Sequence, residues 1–139
     1  MNFVSTRIIT EQVSKLITFY EQVTKIPATR FTEDFAELQS PGATLAIGST
    51  RTLQFFGGSE VAKAAANRTM IIEFITADVD GFFQEHAAFL APYLVQEPTT
   101  MPWGNRSLLF RDPDGNLVNF FTPVSAEAIR KFGGKAVQM

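Results

Sequence analysis

Two oppositely charged residues, Arg7 and Glu73, are the first candidates for chemistry in this chain of 139 residues. They open two similar stretches, RIITEQV and EFITADV, which lie 66 residues apart (73 − 7). Each stretch is expected to end a strand and open a helix, so the two charges hold equivalent places in a repeat. We predict an ion pair between them, either structural or serving as a polar anchor for a ligand. If Glu73 were instead freed in an apolar cleft, it could act as a general base.

Polar and aromatic residues elsewhere extend this candidate site. Ser5 shares a strand face with Arg7 because side chains alternate along a strand, and Asn119 shares a face with Phe121 for the same reason. Trp103, beside Gly104 in a loop, could stack on a planar ligand, since its ring is large and amphipathic. It could equally pack this loop against a partner subunit.

Several classes of site are not expected from the residue types present. The chain has no cysteine, which excludes disulfides, thiolate-bound zinc and a cysteine nucleophile. Its single histidine, His86, falls on the apolar stripe of a predicted helix, where we interpret it as a core or dimer-edge residue. No glycine-rich phosphate loop precedes a helix, and no histidine lies near a candidate serine nucleophile. We therefore expect neither a nucleotide cofactor nor a serine hydrolase.

Composition limits the partners. A hydrophobic content of 45% suits a single domain with a full core, and the net charge of −2 is spread along the chain. Without a cationic face or a long apolar run, neither nucleic acid nor a membrane is an expected partner. The N-terminus carries no signal-peptide pattern, so a cytoplasmic location is the expectation.

Hydrophobic periodicity predicts an α+β fold. The first helix is capped by Thr10 and ends near Lys25, and the segment Thr52–Phe56 is predicted to extend a sheet edge. A turn of type I is predicted at Asp112–Gly115. The other predicted helices are Val79–Leu90 and Ala126–Phe132, followed by a fraying tail. The predicted strands are Phe3–Ile9, Thr29–Thr32, Phe35–Gln39, Thr44–Gly48, Thr69–Thr76, Leu94–Glu97, Ser107–Arg111 and Asn116–Thr122.

The repeat groups these elements into two β-α-β-β-β modules. The first covers about residues 1–56, a linker follows at 57–68, the second covers about 69–123, and a helix and tail occupy 124–139. A second alignment, of SPGATLA with PDGNLVN, places Asn119 at the position of Ala46, with the offset grown to 73. A module this small cannot bury its sheet alone. We therefore expect the two modules to pack side by side in one domain around an open cleft.

The segment RDPDGNLVNFFTP resembles the last hairpin of the vicinal oxygen chelate superfamily, which comprises glyoxalases, bleomycin resistance proteins and extradiol dioxygenases. The resemblance, which extends from Phe3 to Pro123, implies curved sheets around a cleft. It places the family's metal ligands at Ser5, Ala46, Ile71 and Asn119 of this chain. Asn119 stands where the family usually has a glutamate. These residues offer at most two weak neutral oxygens, so we expect no metal and no cofactor.

The resemblance also frames the functional hypotheses. MPWGNR is similar to a segment that borders the ligand groove in bleomycin-resistance-like relatives. The first hypothesis is a metal-independent protein that binds a small amphipathic or aromatic molecule. The alternative is an atypical enzyme of the isomerase or lyase type with Glu73 as base, and a purely structural or regulatory dimer is the third. A homodimer is expected because the cleft exposes apolar residues. The candidate ligand-binding residues are Ser5, Arg7, Glu73, Trp103, Asn119 and Phe121.

Overall fold

The structure, a computed structural model, describes residues 1–135 of the chain. These residues form eight strands, three α-helices and one 3₁₀ helix. The chain divides into two compact units, the first comprising Met1–Asn67 with Pro113–Gly115, and the second Arg68–Asp112 with the chain from Asn116 onward. The main body of each unit is one β-α-β-β-β module, so the predicted α+β repeat is confirmed.

The first module consists of β1 (Ser5–Thr10), α1 (Val13–Thr24), β2 (Thr29–Thr32), β3 (Phe35–Gln39), β4 (Thr44–Ser49) and a 3₁₀ helix (Thr50–Phe55). Its four strands form a sheet in the order β1-β4-β3-β2, with β1 parallel to β4 and the other neighbours antiparallel. The apolar side of this sheet is covered by α1, whose buried stripe includes Leu16, Tyr20 and Val23.

The two ends of α1 differ in how they are held. The prediction that Thr10 caps this helix is wrong, because Gln12 is the N-cap residue and makes no side-chain cap hydrogen bond. The hydroxyl of Thr10 instead accepts a hydrogen bond from the backbone N–H of Gln12 at 3.0 Å, in the turn that precedes the helix. At the other end Lys25 adopts the left-handed conformation, with φ of 61°, and its N–H donates to the carbonyl of Glu21. The predicted end of this helix near Lys25 is therefore confirmed.

The second module consists of β5 (Ile71–Ile75), α2 (Val79–Leu90), β6 (Leu94–Thr100), β7 (Asn105–Arg111), β8 (Leu117–Pro123) and α3 (Ala126–Phe132). It repeats the arrangement of the first, with strand order β5-β8-β7-β6 and β5 parallel to β8. Phe120 is its central core residue, because the ring centroids of Phe74, Phe82 and Phe110 all lie within 5.3 Å of its own.

The hairpin between β7 and β8 turns where the sequence predicted. The buried carboxylate of Asp112 accepts hydrogen bonds from the backbone and side-chain N–H groups of Asn116, at 3.0 and 2.8 Å. Gly115 has a φ of 83°, a conformation that favours glycine. Asp112 therefore holds the turn through its side chain as well as through its backbone.

Three further expectations need correction or lie beyond the described chain. The predicted edge strand Thr52–Phe56 is wrong, because this segment forms the end of the 3₁₀ helix and its C-cap residue Phe56. At the start of that helix the Ser49 hydroxyl accepts a hydrogen bond from the N–H of Arg51. Strand β6 continues to Thr100 instead of stopping at Glu97. The tail predicted to fray includes residues 136–139, which lie outside the described residues. Within residues 1–135, no helix is both long enough and apolar enough to span a membrane.

Candidate functional site

The strand register confirms the repeat at the level of single residues. In the first module Arg7 of β1 lies opposite Ala46 of β4, and in the second Glu73 of β5 lies opposite Asn119 of β8. Both offsets inferred from the sequence, 66 and 73, are thereby satisfied at once. Because side chains alternate along a strand, each pair projects from the sheet face that does not carry the helix.

In the first module, two phenylalanine rings clamp the guanidinium of Arg7. Its Cζ atom lies 4.3 Å from the ring centroid of Phe35 and 5.1 Å from that of Phe56. Phe31 stacks on Phe35 in turn, with centroids 5.6 Å apart. Among the described residues of the first module, the guanidinium has no hydrogen bond and no ion pair. Within that module its contacts are therefore with aromatic rings, and its N–H groups have no oxygen partner.

Small residues surround this arginine. Ala46 lies beside it on β4, and a Cβ atom added at Gly48 would lie 3.5 Å from the arginine Nη1. Ser5, the other predicted residue of this strand face, is exposed and lies opposite Thr44. The first module therefore presents a cation on a strand face with small side chains next to it.

In the second module, an amide and a carboxylate form the polar centre. The side-chain nitrogen of Asn119 donates to Oε2 of Glu73 at 2.8 Å. A carboxylate offers no proton, so this contact fixes which way the amide points and leaves Oδ1 of Asn119 as a fixed acceptor. That oxygen is buried and has no hydrogen-bond partner. Phe121 flanks it along β8 and packs edge-on against Phe132 of α3, with centroids 5.0 Å apart.

The loop before β7 presents Trp103, which is 67% exposed. Gly104 holds this loop to the start of α3, because its carbonyl accepts hydrogen bonds from the backbone N–H groups of Val124 and Ser125 at 2.8 and 3.1 Å. Its φ is 94°, and a Cβ atom at this position would collide with the side chain of Ser125. The tryptophan therefore extends from a firmly anchored loop.

His86 lies in the interior, as predicted. It is 7% exposed, its Nδ1 is 3.0 Å from the carbonyl oxygen of Phe82, and its ring stacks on that of Phe82 at 4.2 Å. Its neighbours on α2 account for its position, so the histidine has a packing role.

The predicted pair of Arg7 and Glu73 joins residues of different units and stays a prediction. Within its own unit Arg7 contacts Phe35 and Phe56, and Glu73 accepts a hydrogen bond from Asn119. The placement of Ser5, Trp103 and Phe121 in a common ligand site likewise stays a prediction.

The positions that the resemblance assigns to metal ligands do not fit a divalent ion. The first module offers the hydroxyl of Ser5 and the methyl group of Ala46, and the second offers the hydrocarbon of Ile71 and the amide of Asn119. None of them is an imidazole, carboxylate or thiolate, the groups that bind such ions strongly. In addition, the described part of the chain contains no cluster of three or more His, Cys, Asp or Glu side chains suited to a metal.

Two features of the first module were not anticipated from the sequence. One is the aromatic clamp, because the position of Phe56 depends on the 3₁₀ helix that replaces the expected strand. The other is a pocket of about 460 Å³ at the start of α1, lined by residues that include Lys15, Arg30 and Glu33. Phenylalanine is common in this sequence, with 14 residues, so no local pattern singled out the two that contact Arg7.

An acidic residue beside that pocket has a shifted pKa. The Arg51 side chain donates a hydrogen bond to Asp34 at 2.7 Å, and the Ser49 hydroxyl donates a second one at 2.7 Å. The Arg51 hydrogen bond, followed by that from Ser49, lowers the pKa of Asp34 below its ordinary value of 3.8. The carboxylate therefore joins the β2–β3 turn to the start of the 3₁₀ helix.

Comparison with known proteins agrees with this architecture. A glyoxalase/bleomycin resistance protein/dioxygenase family enzyme from Burkholderia phytofirmans PsJN is similar, with a TM-score of 0.77 and 12% identity, over 89% of this chain and 100% of the other. A glyoxalase/bleomycin resistance protein/dioxygenase from Nocardioides gives 0.72 and 18%, over 91% and 85%. Lactoylglutathione lyase from Agrobacterium tumefaciens gives 0.67 and 17%, over 87% and 92%.

At these identities the solved structures show the fold alone. No curated protein matches the sequence. The sequence model of the Glyoxalase/Bleomycin resistance protein/Dioxygenase superfamily, however, matches residues 2–120, which is most of the 139 residues. The chain therefore belongs to the glyoxalase/bleomycin resistance protein/dioxygenase superfamily.

Proposed function

We propose that this protein binds a small amphipathic or aromatic molecule on the strand face of its second module, without a metal. The observation that carries the proposal is the buried Oδ1 of Asn119, which has no hydrogen-bond partner. Leaving a buried acceptor unpaired costs about 1–3 kcal/mol. Folded proteins satisfy nearly all such atoms, and an exception calls for a ligand, a bound water or a chemical role.

The surroundings of Asn119 suit a ligand with both polar and apolar parts. Glu73 is exposed, and among the described residues only its Oε2 takes a hydrogen bond, which leaves a second acceptor on the same face. Ile71 precedes Glu73 by two residues on β5 and therefore lies on the same strand face. It is 50% exposed and offers apolar surface. A molecule with N–H or O–H donors beside an apolar ring would satisfy both kinds of surface.

Titration followed by tryptophan fluorescence tests the proposal. Trp103 is the only tryptophan, so any change in emission reports on its loop. A panel of aromatic amines, aromatic acids and glycopeptide antibiotics should include a compound that gives a saturable change. Asn119→Leu should remove that binding, as measured by calorimetry, whereas Trp103→Phe should remove the optical signal and weaken the binding. If no compound in the panel binds by either method, the proposal fails.

We further propose that the protein is a homodimer. The supporting feature is the set of exposed apolar residues in the second unit, since exposed apolar surface commonly marks an interface. Its members are Met70, Ile71, Val95, Trp103, Val124 and Ile129. Sedimentation equilibrium at micromolar concentration should give a dimer, and Trp103→Ala should weaken dimerisation and ligand binding together. A monomer under these conditions contradicts this part of the proposal.

The alternative is an enzyme that uses Glu73 as a base. It is favoured by one observation, the exposed carboxylate with a single hydrogen bond on the strand face. An isomerase or lyase of this kind should lose turnover in Glu73→Gln, because the amide cannot take a proton. A variant that keeps its substrate binding and its turnover would argue against Glu73 as the base.

A further inference from the structure

The clamped arginine of the first module has free hydrogen-bonding capacity. The rings of Phe35 and Phe56 lie 4.3 and 5.1 Å from its Cζ atom, and phenylalanine rings accept no ordinary hydrogen bond from its N–H groups. Because the described residues of the first module give Arg7 neither a hydrogen bond nor an ion pair, its five donors have no partner within that module. Every other arginine for which the structure gives side-chain contacts has an oxygen partner: Arg30 with Ser14, Arg51 with Asp34, and Arg106 with Asp80.

The clamp also prepares this arginine for binding. A free arginine side chain loses about 2 kcal/mol of rotamer entropy when it is held in one geometry. Two aromatic contacts already restrict the rotamers of Arg7. A ligand that binds its N–H groups therefore causes a smaller loss of side-chain entropy. Ala46 of β4 lies beside the arginine, and the absence of a side chain at Gly48 lets Nη1 of Arg7 lie close to that strand.

The charge around Arg7 does not already neutralise it. Glu37 lies in the same cross-strand row, but it is separated from β1 by β4 and therefore by roughly 10 Å, twice the strand spacing. Oε1 of Glu37 accepts a hydrogen bond from Gln39 at 3.1 Å. Ser5 and Thr44, which precede Arg7 and Ala46 on that face, are uncharged. Within the first module, no carboxylate is therefore paired with Arg7.

We infer that Arg7, whose guanidinium contacts the rings of Phe35 and Phe56, is an anchor for a planar carboxylate attached to an aromatic ring. A carboxylate matches the fork of N–H groups and accepts two parallel hydrogen bonds. The ring of such an acid can lie against Phe56, which is 55% exposed. Inorganic phosphate fits less well, because it is strongly hydrated and gains nothing from the apolar rings. This inference uses first-module residues only and does not rest on the function proposed for the second module.

Benzoate, benzamide and inorganic phosphate test the inference, with binding measured by calorimetry and by NMR of the Arg7 side-chain N–H signal. Benzoate should bind saturably and shift that signal. Benzamide has the same shape without the charge, and it should bind at least about tenfold more weakly, as should phosphate. Equal binding of benzoate and benzamide, or no shift of the Arg7 signal at any benzoate concentration, would overturn the inference.

Substitutions of arginine distinguish specific binding of benzoate by Arg7 from a general effect of positive charge on the affinity. Arg7→Gln should abolish benzoate binding, and Arg7→Lys should weaken it by about tenfold, because lysine keeps the charge but lacks the planar fork. Arg51→Gln is the matched control, since Arg51 is already paired with Asp34, and it should leave the affinity unchanged. An equal loss in Arg51→Gln would show a non-specific charge effect and overturn the inference.

Glu73→Gln tests the competing structural pair. If the carboxylate of Glu73 forms an ion pair with the Arg7 guanidinium, the wild-type protein will bind no benzoate and the Glu73→Gln variant will bind it. That outcome would overturn the inference in favour of the predicted ion pair. Circular dichroism of each variant should match that of the wild-type protein, which ensures that a loss of binding reports on the site.

Discussion

In the first module the repeat position on the first strand is Arg7, whereas in the second module it is Glu73. The partner strand carries the methyl group of Ala46 beside the arginine and the amide of Asn119 beside the glutamate. The backbone frame is the same in both modules, since both pairs have the same parallel register. The side chains on that frame have opposite charges and different partners, phenylalanine rings in one case and an amide in the other.

This contrast shows that the repeat preserves the positions of residues on the strands but not the chemical type of the side chains on the face opposite the helix. On the helix side of each sheet the repeat preserves apolar character, so that Ile47 and Phe120 are equivalent core residues. On the other side it preserves only the position of the residue.

The largest expected effect comes from the core position shared by the two modules. Phe120→Ala should lower the free energy of unfolding by about 3–5 kcal/mol, because its ring is 1% exposed and contacts three other rings. Ile47→Ala, its counterpart, should cost about 2–5 kcal/mol. Denaturant unfolding measures both. A loss below about 1 kcal/mol at either position would break the proposed equivalence.

The loop that carries Trp103 belongs to the second module alone, and Gly104→Ala tests its anchoring. A side chain here meets Ser125 and requires the strained positive φ, so we expect a loss of roughly 1–3 kcal/mol. Gly42→Ala is the control, because nothing lies within 4 Å of a Cβ atom added there. Similar melting temperatures for the two variants would show that the loop is not held through Gly104.

Asn119→Leu sharpens the comparison between the two strand faces. The substitution removes a buried acceptor that lacks a partner, and it also removes the hydrogen bond to Glu73, whose exposed carboxylate water can solvate instead. The free energy of unfolding should therefore stay within about 1 kcal/mol of the wild type or rise. Asn116→Leu is the matched control. It should cost about 1–3 kcal/mol, because Asn116 donates to the buried carboxylate of Asp112. If Asn119→Leu were the more damaging of the two, Asn119 would have a structural role.

The smallest expected effect is a pH dependence in the first module. The pKa of Asp34 is lowered in the folded state, mainly by its hydrogen bond from Arg51, so its contribution to stability is complete above 3.8. That contribution is lost as the pH falls from 3.8 through the folded-state pKa. Asp34→Asn should remove this part of the acid dependence in unfolding curves measured between neutral and acidic pH. If the acid dependence of unfolding were the same in Asp34→Asn, the attribution of this part of it to Asp34 would be contradicted.

Sequence patterns predicted most of the fold because the deciding interactions are local or periodic. Helix α2 and helix α3 have the predicted bounds, with Asp78 and Ser125 as N-caps, and the observed register of the parallel strands agrees with the offsets of 66 and 73 residues. The 3₁₀ helix was missed because Thr52–Phe56 has the apolar character of a strand. Its conformation depends on the side chain of Ser49, which a propensity does not include.

The candidate site was less predictable, for a different physical reason. The alignment placed Arg7, Glu73 and Asn119 at equivalent strand positions, but the partners of these residues come from distant parts of the chain. Phe56 reaches Arg7 only because of the 3₁₀ helix, and the free oxygen of Asn119 exists only because Glu73 takes its N–H group. Such pairings depend on side-chain packing in three dimensions, which a single sequence does not contain.

Elemental analysis of the untagged protein tests the central claim most directly, namely that this chain keeps the family frame without its metal chemistry. Ser5, Ala46, Ile71 and Asn119 provide no imidazole, carboxylate or thiolate. The account predicts that zinc, nickel, iron and manganese are present only in traces, and that ligand binding survives treatment with a chelator. One tightly held equivalent of any of these metals per chain would contradict the account and point to Glu73 or Glu37 as a ligand.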